Sequence, residues 1–366
     1  MNQAILERLQ EICREFRIDA PVCGAEEIRQ GIINQTYKVT TRLEDGGEKS
    51  YMIQKINTLV FTDPVQVMEN IDQVTEHLRH KLPGKTSLHF HHTEDRKNYI
   101  TDPDGFWRLS NFIPSRTFDL CHDLDIIRNA GKAFGEFQYL LSDFDASRLA
   151  ETISHFHDTV RRYEQLEAAV RGDIRGRLAR VTEEVRWAFS VREKACTLSN
   201  LRRSGGLPLR VTHNDTKINN VLFEQEGPEA IVVIDLDTVM PGLMGNDFGD
   251  AIRFAGNTQA EDCTDLDAVH VNLEVFEAFA RGFLAETAPI LTPAELDTLA
   301  LSCFVMTTEC GVRFLTDYLS GDVYFKTAYP EQNLNRARCQ FALAQDMLLH
   351  MEEMENIVRE CVAEYR

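Results

Sequence analysis

The chain has 366 residues, of which 43% are hydrophobic and 27% charged, and it carries a formal net charge of -19 at pH 7. That length is enough for about two lobes with more than one core, and the composition excludes low-complexity and fibrous classes. So negative a balance repels nucleic-acid phosphates and anionic membrane surfaces, which leaves a small neutral or metal-chelated partner as the better fit.

From the N-terminus, MNQAILERLQEICREF places Ile5, Leu9, Ile12 and Phe16 at helical spacing, the mark of an amphipathic surface helix. It lacks a signal peptide's apolar core, and no run reads as a membrane span. Nine scattered cysteines without a C-x-x-C pair read as free or buried thiols. The expected setting is the reducing cytoplasm, with a chain that is a monomer or a weak homo-oligomer. Residues 27 to 56 predict a hairpin turning at Glu44-Asp45-Gly46-Gly47. A helix should follow from Thr62-Asp63-Pro64, with Val67, Ile71, Val74 and Leu78 as its apolar stripe. LHFHHTED and FWRLSNFI predict a further strand pair within 88 to 113. His89, His91 and His92 read as strand-edge residues rather than metal ligands.

Beyond about 119 the periodicity is helical. Ile126 to Leu141 is a long amphipathic candidate, two helices are expected in 148 to 203, and helix dominates after 250. Phe276, Phe279 and Phe283 should face a core. Short strands at 219 to 224 and 230 to 235 interrupt this region. The pattern predicts an α+β, bilobal fold, with a small β-rich N-lobe over 1 to 112 and a larger helical C-lobe over 113 to 366.

Chemistry concentrates in VTHNDTKINNVLFEQEGPEAIVVIDLD, residues 211 to 237. His213, Asp215 and Asn220 have the spacing H-x-D-x-x-x-x-N, and Asp235 ends an apolar strand twenty residues after Asp215. Asn and Asp before a strand also serve simply as turn residues, but here the strand, turn and second strand ending in Ile-Asp complete a pattern. It resembles the catalytic loop and metal-binding aspartate of protein-kinase-like phosphotransferases, which include aminoglycoside and choline kinases. Phosphoryl transfer has a loose transition state, so catalysis rests on positioning and charge neutralisation. The resemblance implies a kinase-like bilobal fold and ATP as donor. It makes Asp215 the base at the attacking hydroxyl, Lys217 the γ-phosphate contact, and Asn220 and Asp235 the Mg²⁺ ligands. His213 would brace the loop. Hard oxygen ligands suit that ion.

By the same resemblance a strand Lys should contact the α- and β-phosphates and a helix Glu should hold that Lys, for which Lys55 and Glu69 are the candidates, with Glu76 second. Asn34 and Thr36, in the turn after Gly31, would supply donors to phosphate oxygens. Phe112 and Ile113 would border the adenine. Asp247 would brace the catalytic loop or cap a helix, and Asp237 would bind substrate or a second metal, or cap a turn.

Further segments, GIINQTYKV, YMIQKIN, VIDLDTVMPGL, NDFGDAIR and RFLTDYLSGDVYFK, look like the N-acetylhexosamine 1-kinases of that superfamily, over about residues 30 to 330. That resemblance implies transfer to the anomeric hydroxyl of N-acetylglucosamine or N-acetylgalactosamine. It maps the sugar site to Asp215, Arg313 and Tyr324, with Asp237 and Asp317 as further candidates. Arg313 and Asp317 also fit a surface ion pair at helical spacing. Three alternatives remain at this stage: another hydroxyl acceptor such as an aminoglycoside, choline or homoserine, a nucleotide-binding module without turnover, and a metal hydrolase.

Overall fold

The computed structural model describes residues 3 to 28 and 34 to 366. The expected turn at Gly31 to Ile33 lies outside them. The chain separates into two compact units. The first holds the described residues up to Arg116, together with Ser147–Ile153 and Ile234–Val239. The second holds Thr117–Ala146, Ser154–Val233 and Met240–Arg366.

In the first unit, α1 (Gln3–Glu15) buries Leu9, Ile12 and Cys13. It packs on a sheet built from β1 (Val22–Ile28), β2 (Gln35–Arg42), β3 (Glu48–Ile56), β4 (Ile100–Asp102) and β5 (Gly105–Asn111), in the order β1-β2-β3-β5-β4. All pairings are antiparallel. Alternation along each strand separates two faces. Tyr37, Val39, Tyr51, Ile53, Trp107 and Leu109 form one core with α1. Gln54 and Arg108, a directly paired couple, belong to the opposite face. Between β3 and β4 lies α2 (Pro64–Lys81), started by Asp63 capping Gln66 N and by Pro64 in the first turn. It buries Val67, Met68, Asn70, Ile71 and Val74.

One strand expectation fails. LHFHHTED contributes only an isolated bridge, Phe90 to Ser110, and the strand beside β5 is the later β4. The His side chains touch one another instead, with ring centroids of His89 and His91 5.0 Å apart. Burial holds the His91 pKa down to about 4.

The second unit runs through α3 (Leu124–Leu140), α4 (Thr159–Gly172), α5 (Thr182–Ser190), α6 (Arg192–Ala195) and α7 (Thr197–Arg203). The two helices expected in 148 to 203 are thus four. Next come β6 (Arg210–Thr212), β7 (Val221–Phe223), β8 (Ala230–Val233) and β9 (Met240–Gly242), then α8 (Met244–Ala255), α9 (Leu273–Thr287), α10 (Pro293–Asp297), α11 (Leu299–Ser320), α12 (Gln332–Leu349) and α13 (Met351–Tyr365). Strands pair as β6 with β9 and β7 with β8. Phe276, Phe279 and Phe283 on α9 surround Phe248 of α8 with centroids 5.3 to 5.8 Å away. Each buried Phe contributes about 2 to 3 kcal/mol.

α11 corrects the reading that no run is long enough for a membrane. Its 22 residues are long and apolar enough by composition, but 83% of its most apolar window is buried in the protein, where it serves as the unit's central helix.

Glycines let α3 and α9 approach backbone to backbone. A Cβ on Gly282 would stand 1.9 Å from Arg128 O, and one on Gly131 2.3 Å from Phe279 O. Gly282→Ala therefore forces the pair apart and is expected to cost about 1 to 3 kcal/mol in urea unfolding. Gly172→Ala, whose Cβ meets only Ile174 Cγ2 at 3.6 Å, should be neutral. Equal stability of the two variants would refute the close-approach account.

Candidate active site

In the second unit the motif loop leaves β6 and turns through Asn214, whose φ of 64° is left-handed. Asn tolerates that conformation better than most residues. Asp247, in the first turn of α8, fixes the turn. Its carboxylate accepts His213 N and Asn214 N, each at 2.8 Å, and the Gln138 amide. Its carbonyl accepts the Thr216 hydroxyl at 2.6 Å. Complete burial raises the Asp247 pKa against the pull of His213 and these donors. The His213 ring sits edge-on to Phe134 and Phe137, and Nδ1 accepts Asp215 N at 3.3 Å. It is fully buried, as a brace should be.

Asp215 is the carboxylate this loop presents. Lys217 Nζ lies 2.9 Å from its Oδ1. Asn220 Nδ2 donates to the Asp215 carbonyl at 2.8 Å and to Oδ2 at 3.2 Å. With its NH₂ so committed, Asn220 keeps its amide oxygen for another partner. Burial works against the Lys217 charge, but Asp215 outweighs it and lifts the pKa above the ordinary lysine value.

Beside the loop, His157 Nε2 meets Asn214 O at 3.3 Å and Nδ1 meets Glu309 at 2.9 Å. Glu309 also accepts the Thr159 hydroxyl at 2.6 Å. Burial opposes its charge, but His157 holds its pKa below the usual value. One residue before His157, the Phe156 ring lies 5.4 Å from the Arg313 guanidinium, and Phe325 covers the same guanidinium at 5.5 Å. Arg162 donates to Phe156 O at 2.6 Å. Its own pKa is lowered by burial and then by the charge of Arg313. Phe156 thus links both guanidiniums, one on its carbonyl and one over its ring, directly before the His157 that meets Asn214 O.

Asp317 is not the surface partner of Arg313. It is buried, with 4% exposure, and accepts the backbone N–H of Val323, Tyr324 and Phe325 at 2.9 Å each, plus the Asn333 amide. It shapes the turn after α11 that carries Tyr324, which is 67% exposed.

The first unit revises the expected phosphate contacts. Lys55 pairs with Trp107 across β3 and β5 and lies 5.3 Å over its ring, on the face covered by α1. Glu69 is exposed, and Glu76 binds Arg79 on its own helix. No Lys55–Glu pair forms among the described residues, because sheet alternation sends Lys55 and the neighbouring Gln54 to opposite faces. The cation on the Gln54 face is Arg108, which the sequence reading overlooked. Its Nε donates to Gln54 at 2.9 Å, and its Nη1 binds Asp237. Asn34 Nδ2 holds the other Asp237 oxygen at 2.8 Å, while Asn34 Oδ1 accepts Asn57 N at 3.0 Å. With both oxygens engaged and 4% exposure, Asp237 is an anchor, which overturns its reading as a substrate or second-metal ligand. Thr36 is buried and takes the Gln54 amide at 3.2 Å. Phe112 lies under Lys38 and Ile113 is buried just after β5.

Asp235 adopts φ 60° and ψ 59°. Among the described residues no group of three or more His, Cys, Asp or Glu forms a metal site. The donors offered by Asn220 and Asp235 are hard oxygens, which fits Mg²⁺, an ion that takes one or two protein ligands and fills its shell with water and phosphate.

A protein-family model described as phosphotransferase enzyme family (APH) matches residues 24 to 285. Among solved structures, a microcompartment-associated aminopropanol kinase is similar at TM-score 0.62 and 14% identity, over 96% of this chain and 98% of that one. Choline kinase from Cryptosporidium parvum Iowa II is similar at TM-score 0.55 and 14% identity, over 96% and 97%. Spectinomycin phosphotransferase in complex with ADP and spectinomycin is similar at TM-score 0.55 and 14% identity, over 95% and 98%. These likenesses establish the α+β kinase-like fold.

Asp247→Ala strands two buried backbone N–H groups and the Gln138 amide. It is expected to destabilise the protein by on the order of 2 to 4 kcal/mol in urea unfolding, and a loss under about 0.5 kcal/mol, the scale of a featureless surface position, would remove Asp247 from its bracing role.

Proposed function

Because the chain belongs to the phosphotransferase enzyme family, we propose that it transfers the γ-phosphoryl group of ATP to the anomeric hydroxyl of an N-acetylhexosamine, giving the sugar 1-phosphate and ADP. The observation that supports the acceptor class is that Phe156, next to the His157 that meets Asn214 O, holds two cations, the Arg313 guanidinium over its ring and Arg162 on its carbonyl. Two guanidiniums repel amine cations of the kind named for the aminopropanol and choline kinases. They favour an acceptor that is neutral and rich in oxygens, such as a sugar with an acetamide carbonyl. The segments resembling N-acetylhexosamine 1-kinases point the same way.

Asp215 receives the proton of O1 as the bond from O1 to the γ-phosphorus forms and the bond to the β-γ bridging oxygen breaks. An anomeric hydroxyl is more acidic than an ordinary alcohol, so an ionised carboxylate suffices as base. Lys217, kept protonated by Asp215, offsets charge on the transferred group. Asn220 orients Asp215 through its amide, and its oxygen and the Asp235 carboxylate would hold Mg²⁺. That ion would supply charge neutralisation for the transfer. Arg313, held between Phe156 and Phe325, and the exposed Tyr324 bind the sugar.

Phosphorus NMR of incubations with ATP, Mg²⁺ and a panel of free sugars, amino sugars, choline and homoserine tests the reaction. An anomeric phosphate signal with N-acetylhexosamines alone is the expected result, and transfer to choline would sink the acceptor assignment. Asp215→Asn should lower kcat by about 10² to 10⁴ with a native thermal unfolding profile; near-full activity would remove Asp215 from the mechanism. Arg313→Gln should raise the sugar KM about tenfold or more, the worth of a charged hydrogen bond, and leave the ATP KM unchanged. A rise in the ATP KM alone would place Arg313 on the nucleotide instead.

A further inference from the structure

We propose that Arg108 is the positioning residue for Asp235, acting through Asp237, and that it gives the first unit an ordered metal-ligand segment. This inference rests on the kinase reading above.

The pair is deeply buried, with the Arg108 and Asp237 side chains 3% and 5% exposed. Met68 Sδ, 3.8 Å from Nη1, and the Phe90 ring, 5.3 Å from the guanidinium, complete its enclosure. A buried ion pair is weak evidence for stability, because apolar side chains of the same volume often serve as well. What it supplies here is direction. Gln54 orients the guanidinium, the guanidinium fixes one Asp237 oxygen, and Asn34 fixes the other. At the far end of the segment, Asn70 of α2 donates to Val239 O at 2.9 Å and is itself held by Ala150, whose N–H donates to Asn70 Oδ1 at 2.9 Å.

Residues 237 and 239 are therefore pinned to the sheet and to α2. Asp235, two residues upstream, holds left-handed backbone angles that cost a non-glycine residue about 1 kcal/mol or more and persist only where the surroundings over-determine them. Release of Asp237 lets that backbone relax and turns the Asp235 carboxylate away from its present direction. Metal affinity then falls although no ligand has been removed. Lys55 cannot substitute, since it lies on the other face of the sheet.

The test is calorimetric ATP affinity with and without Mg²⁺, measured on the full-length protein without acceptor. For the wild type, Mg²⁺ should tighten ATP binding. Arg108→Met should lose about tenfold or more of that gain, as removal of an outer-shell partner does at metal sites, while Mg²⁺-free binding is unchanged. Arg108→Lys should recover part of it. Arg108→Met leaves Asp237 buried without its cation and is prone to unfold, so Arg108→Met combined with Asp237→Asn provides a neutral version. The expected result is a near-native melting temperature with the Mg²⁺-dependent gain still missing. A double variant with the full Mg²⁺ gain would overturn the proposal and reduce the pair to a structural contact. A wild type that binds ATP without any response to Mg²⁺ would overturn the kinase reading itself.

Discussion

The hydrogen bonds from His213 N and Asn214 N to the buried Asp247 carboxylate are the constraint on which the second unit's chemistry depends. Asp247 sits in the first turn of α8, where unpaired helix N–H groups and the positive end of the helix dipole favour a carboxylate. By reaching back to the loop after β6 it ties a left-handed Asn to a helix that is itself locked by Phe248 against α9. Asp215, the next residue, inherits a fixed direction from backbone it does not itself hold. Its remaining freedom is removed by Lys217 and Asn220, both supplied within five residues of it.

Charge in this protein is arranged against its own average. A net charge of -19 would suit the capture of cations, but Lys217 stands against Asp215, and Arg162 and Arg313 both meet Phe156. Buried carboxylates are themselves paired, Glu309 with His157 and Asp250 with Arg253. Asp250 lies below its usual pKa: burial opposes the charge, but Arg253, His157 and Lys217 outweigh it. The overall charge still disfavours long polyanions.

The candidate loop was legible because its spacing is local. Asp215, Lys217 and Asn220 lie within six residues, and short-range spacing survives the uncertainty of element boundaries. The β-rich beginning and helical remainder of the fold were legible for a similar reason, since periodicity reports them directly. The strand Lys was misread because parity decides everything in a sheet. Lys55 and Gln54 are adjacent in sequence and opposite in space, and only the pairing of Ile53 with Leu109 under α1 shows which face is which. Arg108 went unnoticed because it sits among apolar strand residues with no motif around it. A signal was available in the polar alternation of Arg108 and Ser110 on β5, which face Gln54 and Met52 on β3. Arg162 and His157 were hidden in a stretch that read only as two helices, and contacts to Phe156 and Glu309 single them out.

The two units use one device twice. In each, a carboxylate assigned to the chemistry lies at or beside a left-handed, non-glycine residue, Asp215 next to Asn214 and Asp235 itself. Near each stands a second, buried carboxylate engaged by the chain itself, Asp247 by two N–H groups and Asp237 by Arg108 and Asn34. A loop held by apolar packing alone keeps several near-equal conformations, since dispersion has little directional preference. Hydrogen bonds to a desolvated carboxylate do have direction, and they strengthen as water is excluded. Precision at Asp215 and Asp235 therefore comes from polar groups placed one layer behind them, and substitutions in that layer should damage the reaction nearly as much as substitutions in the reacting groups.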